Sequence, residues 1–166
     1  MKALKRINDF LIRILLAFCL FLVVVFTLVV FFQVLARNYL VISVPWTDEI
    51  ALIFFVWSVF LGAAIGLRKR THYMVDLFPK SWIRLNAFFD LFSSVLVIGM
   101  VFVFLWGGSI FAHMGLKRNF SSIIFSQAWL FVSMPLASAC MILFSIENIA
   151  EDFTRFRNSL RGGTVE

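Results

Sequence analysis

Residues Ile14 to Ala36 read ILLAFCLFLVVVFTLVVFFQVLA, 23 positions without one charged side chain. A helix rises ~1.5 Å per residue, so about 20 apolar residues cross the ~30 Å of bilayer hydrocarbon. This stretch is long enough to be a span. Three others match it: Ile50 to Leu67, lengthened by Trp46 and Thr47; Leu91 to Leu116, interrupted only by His113; and Asn119 to Ile146. The Ser- and Asn-containing beginning of the last, Asn119 to Gln127, reads as a loop, which moves the fourth span to about Ala128 to Ile149 with a kink at Pro135. The expected fold is an all-α integral membrane protein with four transmembrane helices, near 14–36, 47–67, 89–116 and 128–149, forming one membrane domain over residues 1–166.

Composition agrees. The 166 residues are 62% hydrophobic and only 14% charged, with 22 Phe and a mean hydropathy of +0.98. A soluble domain holds roughly 45–50% apolar and about 25% charged residues. The net charge of +6 does not indicate a nucleic-acid partner, because the charges form short clusters between apolar runs. Those clusters set the orientation. Lys and Arg retained on the cytoplasmic side number twelve in the amino-terminal segment, the second connection and the tail, against three (Arg37, Lys117, Arg118) on the other side. Both termini are therefore expected in the cytoplasm. The first apolar run exceeds the ~7–15 residues of a signal peptide and reads as an uncleaved anchor.

Between the second and third spans, Phe78, Trp82, Leu85 and Phe89 recur at helical spacing, with Pro79 suited to a first turn. The segment is either an amphipathic interfacial helix or a cytoplasmic extension of the third span. No Asp, Glu, Lys or Arg lies near the middle of a span, whereas ion and proton pathways usually require such residues. His72 and His113 fall at opposite membrane faces, too far apart to ligate one haem. Cys19 and Cys140 lie in separate spans and form no redox pair, so packing is their expected role. Neither a cofactor nor a metal site is expected, and the chain does not read as an enzyme.

Several residues instead suggest contact with partners. Ser58, Gly62 and Gly66 recur every four residues, with Ala63 and Ala64 beside them, making one face where another helix can approach closely. That face serves either a helix of this chain or a separate partner. Ser133 with Ala137, and the pair Gly107-Gly108, are shorter patches of the same type. At the outer mouth of the second span stands Pro45-Trp46-Thr47-Asp48-Glu49, where Thr47 or Asp48 suits a cap and Arg37 is placed to neutralise an acid. Arg68 and His72 mark its inner end, and Trp57 sits mid-span, away from the interface that usually anchors Trp.

The spaced set Trp46-Thr47-Asp48-Glu49, Trp57, Phe60-Leu61-Gly62-Ala63-Ala64, Leu67-Arg68 and His72-Tyr73-Met74-Val75-Asp76 resembles the small membrane subunit of tripartite ATP-independent periplasmic (TRAP) transporters, the DctQ-like family. Trp129 and Pro135 also fit that pattern. The resemblance implies a multi-pass protein of the bacterial inner membrane that binds a large multi-span subunit laterally. It implies a periplasmic binding protein as the third component, with sodium coupling and transport sites on the large subunit and an organic acid such as a C4-dicarboxylate or sialic acid as substrate. Trp46, Glu49, Trp57, Ser58, Gly62, Ala63, Gly66, Arg68, His72 and Asp76 are then motif and interface candidates, and Arg37, Lys117 and Arg118 are candidates for meeting acidic patches on the binding protein. The competing expectation is a self-contained oligomeric exporter or channel, which would ordinarily carry a membrane-buried acid.

Overall fold

The computed structural model of the protein describes residues 2–69 and 83–160. They form α1 (Lys2–Asn38), α2 (Pro45–Arg68), α3 (Ile83–Gly115), the single turn α4 (Ala128–Phe131) and α5 (Ser133–Leu160). Four helical stretches are long and apolar enough to cross a membrane, and the chain is a multi-pass, all-α membrane protein. Both ends of the described chain lie at the same end of the bundle. The helices overrun their apolar cores: α1 has 37 residues, about 55 Å of helix, so its first turns project beyond the hydrocarbon. From Ile83 onward the segment between spans two and three is the beginning of α3, an extension rather than a separate interfacial helix. Residues 70–82, including Phe78, Pro79 and Trp82, lie outside the described residues.

Helix backbones pass one another in the order α1, α2, α5, α3, with no close backbone approach between α1 and α3 or between α2 and α3 among the described residues. Phe60 and Phe104 bridge the latter gap through their rings, 6.4 Å apart. In α1 the shielded positions include Asn8, Ile12, Leu15, Cys19, Leu22, Phe26, Val29, Gln33 and Ala36. Their spacing alternates four and three, the seam of a left-handed helix pair. A polar residue, Asn8 or Gln33, stands at or next to each end of this seam. Leu15 and Leu22 join Leu61, Ala64, Ile65 and Phe144 in the core.

Hydroxyls along the helices bond back to their own backbone, as hydrocarbon requires. Thr27 donates to the Val23 carbonyl, Ser109 to Trp106, Ser133 to Leu130 and Ser138 to Met134. The fourth span is broken after one turn. Pro135 has no N–H to offer the Phe131 carbonyl, and the break between α4 and α5 falls at Val132. One turn before it, the Trp129 carbonyl accepts the Trp57 indole N–H at 2.8 Å. A mid-span indole thus caps a carbonyl beside the discontinuity, which accounts for a Trp far from the interface.

The small-residue patches divide between two uses. Ser133 and Ala137 are buried within the chain, and a Cβ on Gly108 would come within 2.7 Å of the Met134 Cβ and 3.0 Å of the Pro135 Cδ. Gly108 therefore lets α3 lie directly against the start of α5. Gly62 and Gly107 would meet nothing within 4 Å. Overpacking a close helix contact costs about 1–3 kcal/mol. Gly108→Ala is expected to lower the thermal midpoint of the detergent-solubilised protein, while Gly107→Ala leaves it unchanged; equal midpoints for both variants would contradict the assigned contact.

Candidate functional site

Polar side chains of the described residues gather at the two rims of the bundle. At the end bearing the termini, the Arg68 guanidinium closes the last turn of α2, where a cation suits the helix dipole. Its Nη2 lies 3.0 Å from Asp9 Oδ1 of α1 and 3.1 Å from Glu147 Oε1 of α5. The two pairs differ in worth: Glu147 is 8% exposed and Asp9 53%, so solvent weakens the Asp9 contact. Buried Asn8 donates through Nδ2 to Glu147 Oε2 at 2.5 Å. Next along α5, Asn148 Nδ2 reaches the Leu67 carbonyl at 3.2 Å. Asp152 accepts from the Ser94 hydroxyl of α3 at 2.6 Å.

Residues 147–152 of α5 thereby touch all three other long helices. The cluster is not fully closed, because Asn8 Oδ1, Arg68 Nε and Ser145 Oγ are buried without a hydrogen-bond partner. Sequence reading singled out Arg68, but it missed Asn8, Glu147 and Asp152. The signal available was their position, polar residues continuing the apolar stripes of α1 and α5 by one turn.

At the opposite rim, Glu49 takes hold of the loop between α3 and α4. Its Oε1 accepts from the backbone N–H of Ser121 at 2.7 Å and of Ser122 at 3.0 Å, and its Oε2 from Ser122 and Ile123, both at 3.0 Å. Three successive amides converging on one carboxylate form an anion nest. Further bonds order the same loop: Phe120 N–H to Phe125 O at 3.1 Å, Gln127 N–H to Arg118 O at 2.9 Å, and the Ser126 hydroxyl to Gly115 O at 2.7 Å. Lys117, Arg118 and the apolar Ile124 and Phe125 are presented on it, exposed.

The beginning of α2 differs from the expected cap. Val44 occupies the cap position, with no side-chain hydrogen bond there, because Pro45 is already the first helical residue. The Thr47 hydroxyl instead donates to the Val44 carbonyl at 2.6 Å. Asp48 is held by Gln33 Nε2 at 2.5 Å, not by Arg37, which has no hydrogen-bond or ion-pair partner among the described residues. Trp46 lies beside Phe32, ring centroids 6.2 Å apart.

The other candidates are dispersed. The Ser58 carbonyl faces the Cys19 thiol at 3.6 Å, Gly66 is buried, and Ala63 is half-buried on the core. Cys19 and Cys140 are free thiols. His72 and Asp76 lie outside the described residues. No group of His, Cys, Asp and Glu among the described residues is placed to hold a metal ion. Chemically, the arrangement is a helical framework fastened at both rims, with apolar side chains between them.

Such a framework, with its charged contacts at the rims among the described residues, is that of a multi-pass membrane protein. The chain belongs to the family of tripartite ATP-independent periplasmic transporters, DctQ component, which it matches over residues 26–155. It is also 26% identical over 127 residues to the sialic acid TRAP transporter permease protein SiaT of Haemophilus influenzae (strain 86-028NP), a match covering 69% of this chain and 19% of that protein. The chain thus spans about a fifth of the relative's length.

Two outcomes test the rims. Removing one partner of a largely buried ion pair costs about 3–5 kcal/mol, less where solvent reaches it. Arg68→Met is therefore expected to lower the thermal midpoint markedly, Arg68→Met with Glu147→Met to recover most of the loss, and Asp9→Asn to change little. At the other rim, Glu49→Ala removes charge-assisted bonds worth about 1.5–3 kcal/mol each. Amide exchange at Ser121, Ser122 and Ile123 is expected to accelerate at least about tenfold; unchanged protection would show that the loop orders itself without Glu49.

Proposed function

We propose that this chain is the small, non-catalytic permease subunit of a sodium-coupled TRAP transporter in a bacterial inner membrane, importing an organic acid. Its role is to hold the stationary part of a large multi-span subunit while the transport part moves. The observation that carries this reading is the combination of rigidly fastened rims with long apolar helix faces left exposed. Leu20, Phe21, Leu28 and Phe31 of α1, and Val95, Leu96, Val103 and Trp106 of α3, all face outward. Gly62, with open space around it, offers close approach to a neighbouring helix. Family membership supports the partner class, and the relative's name supports sialic acid as one candidate substrate beside C4-dicarboxylates. Four fifths of that relative's length lies outside the match, room for a larger transport part.

The distribution of Lys and Arg supports an orientation in which the rim carrying Glu49 faces the periplasm and the rim carrying Arg68 the cytoplasm. Lys117 and Arg118, on the loop ordered by Glu49, are placed to meet acidic patches of the binding protein. Charged rim residues act mainly through encounter and salt dependence.

Uptake by reconstituted large subunit should fall to background without this chain and return when it is added. Full uptake in its absence would overturn the scaffold role, and uptake by this chain alone would favour the self-contained carrier. Lys117→Glu with Arg118→Glu should raise the binding-protein concentration giving half-maximal uptake by about tenfold, leaving the maximal rate unchanged.

A further inference from the structure

Between the end of α1 and the start of α2 lies an open cavity of about 570 Å³, lined by Gln33, Arg37, the connection from Val41 to Val44, Pro45 and Asp48. Its size falls in the ~300–1,000 Å³ range of small-molecule sites. Two opposite charges line it without pairing. Asp48 uses Oδ1 to accept from Gln33, which leaves its second oxygen available, while the Arg37 guanidinium has no partner among the described residues. Val41 has φ 55, a left-handed conformation that a β-branched residue adopts only under constraint. That turn places the 41–44 connection as a wall of the cavity. Strained backbone of this kind tends to mark binding and switch regions.

From this geometry we infer that the cavity is a binding site for a zwitterionic phospholipid headgroup carrying a primary ammonium, phosphatidylethanolamine. A phosphodiester meets the planar guanidinium fork of Arg37, whose geometry suits bidentate contact with phosphate. The ammonium, two carbons away, donates to the free oxygen of Asp48. A choline headgroup has no N–H to donate, and a glycerol headgroup carries no positive charge for Asp48. The surroundings select an amphiphile over a soluble zwitterion: Leu40, Val41 and Ile42 are exposed beside the cavity, as are Phe32 and Trp46. These are apolar surfaces for glycerol and acyl chains at the level where an interfacial Trp resides. The site needs no other subunit and does not depend on the transport reading.

The test is native mass spectrometry of the full-length chain after exchange into nanodiscs with equal amounts of phosphatidylethanolamine, phosphatidylcholine and phosphatidylglycerol. One phosphatidylethanolamine per chain is expected, enriched about fivefold or more over either competitor, the scale of a partly exposed charge-assisted bond. Arg37→Gln and Asp48→Asn, both at exposed positions and so compatible with folding, should each abolish the enrichment, while Lys117→Gln with Arg118→Gln should leave it intact. Equal retention of phosphatidylglycerol, or unchanged enrichment in the Arg37 and Asp48 variants, would overturn the site. Displacement of the lipid by soluble phosphoethanolamine would show that the cavity takes the free zwitterion, and would overturn the lipid assignment.

Discussion

The carboxylate of Glu147 is the contact on which the bundle's arrangement depends. Within a bilayer, helices gain little hydrophobic free energy by associating, because lipid tails are as apolar as the side chains they replace. Register then rests on close packing and a few polar contacts. Glu147 accepts from Asn8 on α1 and Arg68 on α2, and one turn later Asp152 takes the Ser94 hydroxyl of α3. α5 is consequently the hub, consistent with its central place between α2 and α3. A slide of α1 by one turn would carry Asn8 away from Glu147 and leave buried polar atoms unpaired.

The second rim complements the first. Glu49 and Arg68 stand 19 residues apart on α2, about 28 Å of helix, close to the ~30 Å thickness of hydrocarbon. One helix therefore carries a polar clasp at each membrane surface. Between the clasps, contact relies on dispersion and on hydrogen bonds such as that of the Trp57 indole on the Trp129 carbonyl, which bridges two helices near a break. Fastening at both ends makes the helices resist sliding and splaying, and it leaves long apolar faces of α1 and α3 turned outward.

Much of this was legible in the residues. Four uncharged runs announced four spans, the Ser- and Asn-containing stretch before Ala128 announced a loop, and Pro135 announced a discontinuity. Arg68 and Glu49 stood out by position, and both hold structural contacts. Their partners did not stand out: Asn8 is 139 residues from Glu147, and the amides that meet Glu49 belong to backbone, which every residue possesses. The stripe of small residues on α2 was legible as a close-packing face but not as a divided one, with Gly66 buried and Gly62 toward open space. Arg37 was legible as a cation near acids, yet Gln33 took the acid, because it lies on the seam of α1 that faces α2.

Hydropathy and charge by themselves determined that this chain crosses a membrane four times, where the crossings fall and which ends share a side, since transfer free energy is summed residue by residue along the chain. Which face of each helix turns inward was decided only in three dimensions. Between Ile14 and Ala36, α1 carries no charge on any face, so charge cannot choose among its faces there. The choice fell to the heptad seam from Asn8 to Ala36, with Asn8 and Gln33 near its two ends, because a buried polar group without a partner costs more than an exchange of one apolar contact for another.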